Sequence, residues 1–394
     1  MTDAARAAPP PLGLLALWLR FVRFGALAWG GPVAQIGNLH HELVERERWV
    51  DEARFRKVLA VYQVLPGPEA TEMCIWFGTV ARGRIGGLVA GLGFLLPGLT
   101  LMLLASWLLL GRSELPPLLV AAFAGMQCAV VALVVRAAAR LWHAAAGRDP
   151  FLWAIGAVTL TGQFAGLPFA ISLLAGGFAV ALRRRRAWLA VVSILWIGAV
   201  VHCALHHPLV LQAHTGDVGG AAPGPLELAR TGLRAGLLTF GGAYTAIPFL
   251  QQDAVGEHGW MTLRAFQDGL AIGGVLPSPL IVFGTWVGFA GGGFAGAAIV
   301  TAAIFLPAFL FPLLLHGWLE RLVAHPALHH FLEGVTVAVV GLIGAIALQW
   351  LTTLDSPLRL GLAVAAFAAL ALVRRRLTAL LVMAGAAGAG LLLA

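Results

Sequence analysis

The chain has 394 residues, 60% of them hydrophobic and 11% charged, and a formal net charge of +8. Soluble domains carry about 25% charged residues, so a water-soluble core is excluded. The apolar runs are long and continuous instead of alternating, which excludes a β-barrel and leaves an all-α polytopic membrane protein. The positive charge sits in short arginine clusters beside apolar stretches, where it reports orientation in a bilayer and not nucleic-acid binding. Cys74, Cys128 and Cys203 show neither metal-ligand spacing nor a disulfide framework and read as small buried hydrophobes. Residues 1–13 lack a basic region followed by a cleavage site, so no removable signal peptide is expected.

In chain order, apolar spans are expected at about 12–34, 54–84, 86–110, 118–142, 150–166 and 168–182, lengths that suit a hydrocarbon layer of about 30 Å. A further helix over 187–205 follows. Six more spans are expected at about 227–249, 265–294, 296–316, 331–353, 357–373 and 377–393. The second set repeats the first. At an offset of 211, Arg23, Gly30, Gly31, Trp49, Phe55, Pro66 and Pro68 match Arg234, Gly241, Gly242, Trp260, Phe266, Pro277 and Pro279. Single-residue slips bring Gly78, Gly86 and Pro97 onto Gly288, Gly296 and Pro307, then Gly125 and Leu133 onto Gly334 and Leu342. The reading is therefore an N-terminal repeat over 12–186, a linking helix and loop over 187–226, and a C-terminal repeat over 227–394.

Two proline triplets interrupt apolar segments at matching places, Pro66-Gly67-Pro68 and Pro277-Ser278-Pro279. Proline removes a backbone donor and clashes with the preceding turn, so a helix stops before each triplet and a new one can begin at its second proline. Broken backbone at membrane depth is tolerated where it lines protein or a water-filled cavity, and half-helix N-termini there suit anions. If each broken segment crosses once, the chain crosses about 13 times. Arg183–Arg186 follow the sixth span of the first half and Arg374–Arg376 precede the sixth span of the second. Placing both clusters in the cytoplasm makes the two repeats inverted. That arrangement leaves the basic stretch 35–57 on the wrong side, whereas a re-entrant broken segment would move it inside and make the repeats parallel.

Candidate substrate-binding residues gather at the breaks: Arg23, Gly30, Gly31, Pro66, Gly67, Pro68, Glu69, Ala70 and Thr71 in the first half, and Arg234, Gly241, Gly242, Pro277, Ser278 and Pro279 in the second. An intramembrane arginine is expensive, and its planar guanidinium suits bidentate binding of a tetrahedral oxyanion. It can equally snorkel to the interface. Paired glycines let a helix open and let backbones pack closely. Glu69 and Glu72 follow the first triplet and are candidates for proton coupling, since a carboxylate at that depth either pairs with arginine or takes up protons. Their counterparts Leu280 and Phe283 are apolar, so any proton role is asymmetric. The two triplets are expected to face one another near the midplane.

His40-His41-Glu42 does not form a zinc-protease motif, because Glu45 stands where the second histidine belongs. No phosphate-binding loop, nucleophile elbow or dinucleotide fingerprint appears, and no cofactor or metal is expected. A secondary transporter is the leading reading; a membrane-embedded enzyme and a non-transporting oxyanion receptor or scaffold are the alternatives.

Six stretches sharpen this. WGGPVAQIG (29–37), LPGPEAT (65–71) and RGRIGGLVAGLGFLLPG (82–98) resemble the first half of the chromate ion transporter family. FGGAYTAIPFLQQ (240–252), GWMTLRAFQDGLAIGGVLPSP (259–279) and AIFLPAF (303–309) resemble its second half in the long, two-part form. The resemblance implies proton-driven export of chromate from the cytoplasm across the cell membrane, and so chromate resistance, with sulfate as the look-alike. The partners expected of the chain are the oxyanion, protons, the lipid bilayer and, in a homodimer, a second copy of itself. Ser278 in place of glycine and Ala243 in place of a third glycine depart from the family pattern.

Overall fold

A computed structural model describes residues 9–112, 115–206, 222–315, 325–373 and 377–393, so the Arg374–Arg376 cluster and Arg321 lie outside the described residues. The described residues are helical, with no strand among them. The first half comprises α1 (Leu14–Ala26), α2 (Gly31–Leu39), α3 (Glu52–Val64), α4 (Glu69–Leu110), α5 (Pro117–Ala146), α6 (Pro150–Phe164) and α7 (Phe169–Ala181). A linking helix, α8 (Arg186–His206), leads to the second half. There α9 (Pro225–Leu237), α10 (Ile247–Gln251), α11 (Leu263–Val275), α12 (Gly284–Leu310), α13 (Pro326–Leu351), α14 (Pro357–Leu372) and α15 (Thr378–Leu392) follow. Among the described residues, five segments are apolar and long enough to cross a membrane: Glu69–Leu110, Pro117–Ala146, Arg186–His206, Leu280–Leu314 and Pro326–Leu351.

The broken segments do not continue straight. Trp286 Nε1 donates to the carbonyl of Ala265 at 3.0 Å, across a separation of 21 residues. A straight helix of that length spans about 31 Å. In the first half, Phe55 stacks on Phe77 with ring centroids 6.2 Å apart, and the Arg54 guanidinium lies 5.8 Å from the Trp76 ring. Each proline triplet is thus the tip of a helical hairpin that returns to the face it left. The single crossing per broken segment, and with it the count of thirteen, is corrected. The reason is local. The triplet leaves Leu65 and Leu276 extended at the helix ends, with ψ of 154° and 147°, and this turns the chain back.

The outer ends of these hairpins turn again at Arg82-Gly83 and at Gly292-Gly293, where Gly83 and Gly293 adopt φ of 64° and 56°. Small residues let the arms close. A Cβ on Gly78 would stand 2.4 Å from Gly86 O, and one on Gly288 would stand 2.5 Å from Gly296 O. The glycine breaks make a second pair of hairpins. Arg20 of α1 pairs with Glu47 beyond α2, and Arg234 of α9 pairs with Asp253 beyond α10. The bases of both first-half hairpins therefore share one face of the molecule, which carries Arg46, Arg48, Arg54, Arg56, Arg82 and Arg84. Residues 35–57 fall on the same face as the arginines before the second arm of α4.

The two halves run against one another. Cβ atoms on Gly87 and Gly91 would each lie 2.7 Å from Leu313 and Phe309, so the second arm of α4 and that of α12 are antiparallel. Re-entrant hairpins thus occur together with oppositely directed halves. α5 and α13 cross at the centre, and each is clasped by the other half. Gly176 and Gly177 of α7 meet Gly334 and Phe331 of α13, while Gly125 of α5 meets Ala386 of α15. One apolar core, from Leu17 to Ala386, runs through both halves.

Candidate functional site at the hairpin tips

Each hairpin tip touches the other half. Gly67 N–H donates to Thr239 O at 2.8 Å, just before the second-half glycine pair. Trp29 Nε1 donates to Val275 O at 3.2 Å, and Gln35 Nε2 bridges Ala28 O at 2.8 Å and Ser278 O at 3.2 Å. Each proline triplet is thus seated on the glycine break of the opposite half.

Between the first-half glycine break and the second-half triplet lies a cavity of about 440 Å³. Trp29, Gly30 and Gly31 line one wall, Gly273, Leu276 and Ser278 the second, and Tyr244 with Val373 and Thr378 the third. α5 closes it with Arg136 and Arg140. One helical turn separates these two arginines, so they share a face, and both act electrostatically on the Tyr244 phenol. Gly30 and Gly31 adopt φ of 92° and 77°, a conformation that glycine alone takes at little cost, and this starts α2 against the cavity. The first N–H groups of a helix have no intrahelical acceptor and form the positive end of its dipole. Ser278 is 6% exposed, and its Oγ has no hydrogen-bond partner. Among the described residues, the lining contains two guanidinium groups, a helix N-terminus and an unpartnered Ser278 hydroxyl, and no carboxylate. That set can bind an anion from several directions, and a guanidinium suits the bidentate geometry of an oxyanion.

The expected site residues are distributed as follows. Gly30, Gly31 and Ser278 line the cavity, with Pro277 and Pro279 flanking Ser278. Gly241 and Gly242 adopt φ of 72° and 124° and lead into the short turn Ala243–Ala246 that carries Tyr244 to the cavity. Pro66, Gly67, Pro68, Glu69, Ala70 and Thr71 form the other tip, and Glu69, Ala70, Thr71 and Glu72 are buried there. Both carboxylate oxygens of Glu72 lack a partner. Arg23 is exposed on the outside of α1. Arg234 Nη1 lies 2.5 Å from Asp253 Oδ1 and 3.9 Å from Glu257 Oε2, with its guanidinium over the Phe169 ring. Thr231 Oγ1 gives Asp253 a second bond at 2.7 Å. Neither of this arginine pair lines the cavity.

Arg136 and Arg140 lie near the end of an expected span at 118–142, among the arginines beside apolar stretches that report orientation. The signal that marks them is depth: they stand about 15 and 9 Å before the end of α5 at Ala146, too far in for a loop residue. Among the described residues no group of three or more His, Cys, Asp or Glu is placed to hold a metal ion.

The comparisons with known proteins agree with this architecture. The chain is 46% identical over 357 residues to a chromate transport protein of Pseudomonas aeruginosa, covering 90% of this chain and 84% of that one. It is 29% identical to a chromate transport protein of Cupriavidus metallidurans, covering 97% and 94%. A probable chromate transport protein of Synechococcus elongatus is 28% identical, covering 87% and 86%. No solved structure matches. The chromate transporter family matches residues 15–210 and 226–391, one match to each half. This multi-pass membrane protein belongs to the chromate transporter family.

Proposed function

We propose that the chain is a secondary transporter that exports chromate, or a related tetrahedral oxyanion such as sulfate, and that the cavity between the hairpin tips is its binding site. The observation that carries this is the placement of Arg136 and Arg140 opposite the N-terminus of α2 in a cavity that no carboxylate lines among the described residues. Two fixed positive charges and a helix dipole suit a dianion, and donors fixed before binding lower the cost of ordering. The names of the relatives support chromate as substrate.

The antiparallel halves support repeats inverted about an axis in the membrane plane. The face with the first-half hairpin bases is the more basic and is assigned to the cytoplasm. Arg183 pairs with Asp149 at the base of the α6–α7 hairpin and belongs to that face. Arg140, exposed and about two turns from that end of α5, opens the cavity toward it. Loading from the cytoplasm is the arrangement that export requires, and coupling to the proton-motive force supplies the uphill step.

Everted membrane vesicles test this reading. Chain-dependent accumulation of chromate that sulfate competes for and that collapses when the proton gradient is dissipated is the expected result. Vesicles whose chromate content does not depend on the chain would overturn it.

A further inference from the structure

The anion cavity has a counterpart produced by the duplication, and its chemistry is reversed. At the offset of 211, the cavity residues Gly273, Ser278 and Leu280 correspond to Tyr62, Gly67 and Glu69. One turn on, Phe283 corresponds to Glu72. On the α5 side, Arg136 and Arg140 correspond at the offset of 209 to Ala345 and Gln349 of α13. Thus the first-half triplet, seated on the second-half glycine break, has two carboxylates and no arginine where its mate has two arginines and no carboxylate.

Glu72 is the unusual member. It is 0% exposed, and neither Oε1 nor Oε2 has a hydrogen-bond partner. Among the described residues, the titratable groups that act on it are Glu69 from its own helix and Tyr62 from α3, and no cationic side chain does. A Cβ on Gly67 would stand 2.6 Å from Glu72 Oε1, so the carboxylate is packed directly against the triplet. This explains the difference between the two triplets. At position 67 a carboxylate fills the space that a side chain would take, whereas Ser278 packs against Gly98 and lines the anion cavity. An ionised carboxylate removed from water without a donor is strongly uncompensated. The position therefore calls for a cation. A metal cation needs several oxygen ligands and a cavity, whereas a proton needs only the carboxylate oxygen. Here the tips bond directly, Gly67 N–H to Thr239 O, where on the anion side Gln35 spans the gap.

We infer that the two mirror-related tip sites have divided the work of transport, the Ser278 site holding the oxyanion and the Gly67 site holding the coupling proton on Glu72. This rests on the transporter reading above. Glu72 accepts one proton when its tip communicates with one side of the membrane and gives it up to the other, with no other bond made or broken. Because both triplets belong to one interlocked set of hairpins, moving one tip moves its mate, and the two ions are coupled through the backbone contacts between halves.

The full chain in proteoliposomes separates the two sites. Chromate exchange at equal pH reports the anion site, and uphill accumulation under an imposed pH gradient reports coupling. Glu72→Gln is expected to keep exchange within about twofold of wild type and to lose about tenfold or more of gradient-driven accumulation. A sodium gradient of the same size drives nothing. Wild-type vesicles also acidify or alkalinise a weakly buffered interior when chromate is added, a signal that needs no variant to fold. Gradient-driven accumulation by Glu72→Gln at the wild-type level, accumulation driven by sodium, equal loss of exchange and accumulation in a folded Glu72→Gln, or wild-type chromate flux without proton movement each overturns the inference. Wild-type vesicles with no chromate exchange at all overturn the transporter reading itself.

Discussion

Trp286 hydrogen-bonds the carbonyl of Ala265 although Pro277-Ser278-Pro279 lies between them in the chain. That contact is possible only if the segment doubles back, and its first-half mate is the approach of Arg54 to Trp76. A topological consequence follows. In a cysteine-free background, Arg48→Cys and Arg84→Cys should react with an impermeant thiol reagent only from the cytoplasmic side, and Glu257→Cys only from the other. A straight broken helix would put positions 48 and 84 on opposite sides, so opposite labelling would contradict the hairpins.

The hairpins depend on close backbone approach at glycine. A Cβ on Gly25 would lie 2.2 Å from Phe94 O, and one on its mate Gly236 would lie 2.3 Å from Ile304 O. Backbone cannot yield as a flexible side chain does, so alanine at either place should destabilise by about 1–3 kcal/mol. Gly37→Ala, with nothing within 4 Å, should leave stability unchanged or slightly raised. Thermal unfolding in detergent measures all three.

The matched arginines should behave differently. Arg234→Ala removes the partner of Asp253, which is 2% exposed, and leaves that carboxylate with Thr231 alone. Breaking a buried pair costs about 3–5 kcal/mol, and the partial exposure of Arg234 reduces this to about 1–3 kcal/mol. The double variant Arg234→Ala/Asp253→Ala should recover part of the loss, because no lone charge remains. Arg23→Ala, on the exposed side of α1, should cost less than about 0.5 kcal/mol. Equal losses at the two arginines would contradict the ion-pair account.

At the base of the first-half hairpins, His40 Nε2 lies 2.6 Å from Glu52 Oε2 and Arg56 Nε lies 2.5 Å from Glu52 Oε1. The hydrogen bond from His40 first, then that from Arg56, holds the Glu52 carboxyl below its usual range. A depressed carboxylate stabilises the fold above its unfolded value and loses that contribution as pH falls through the folded value. The contact between the two first-half hairpins should therefore weaken only in acid below the ordinary glutamate range. His40→Ala should move the carboxyl signal of Glu52 upward in a pH titration, and an unmoved signal would contradict the assignment.

The duplication, the helix class and the two chain breaks were legible because glycine and proline leave marks that survive in one dimension. The direction of the chain after each break was not. A proline triplet stops a helix equally well for a kink and for a reversal, and contacts between residues distant in sequence, Trp286 with Ala265 and Arg54 with Trp76, distinguish the two. Gly30, Gly31 and Ser278 were legible as candidates because they sit at those breaks, and they line the cavity. That Arg136 and Arg140 line it too was not legible, because α5 passes the tips of two hairpins that are distant in sequence. The matched pair Arg23 and Arg234 stood out by symmetry, yet the surroundings differ: Thr231 and Asp253 enclose the second, and solvent or lipid faces the first.

The most direct test of the anion cavity is equilibrium binding of radiolabelled chromate to the purified chain. A charge-assisted hydrogen bond is worth about 1.5–3 kcal/mol, so Arg136→Ala and Arg140→Ala should each weaken binding by about tenfold or more. Arg136→Lys should fall between wild type and alanine, since the charge stays and the bidentate geometry goes. Sulfate should displace chromate from wild type. A folded Arg136→Ala/Arg140→Ala double variant that binds chromate as wild type does would contradict the account.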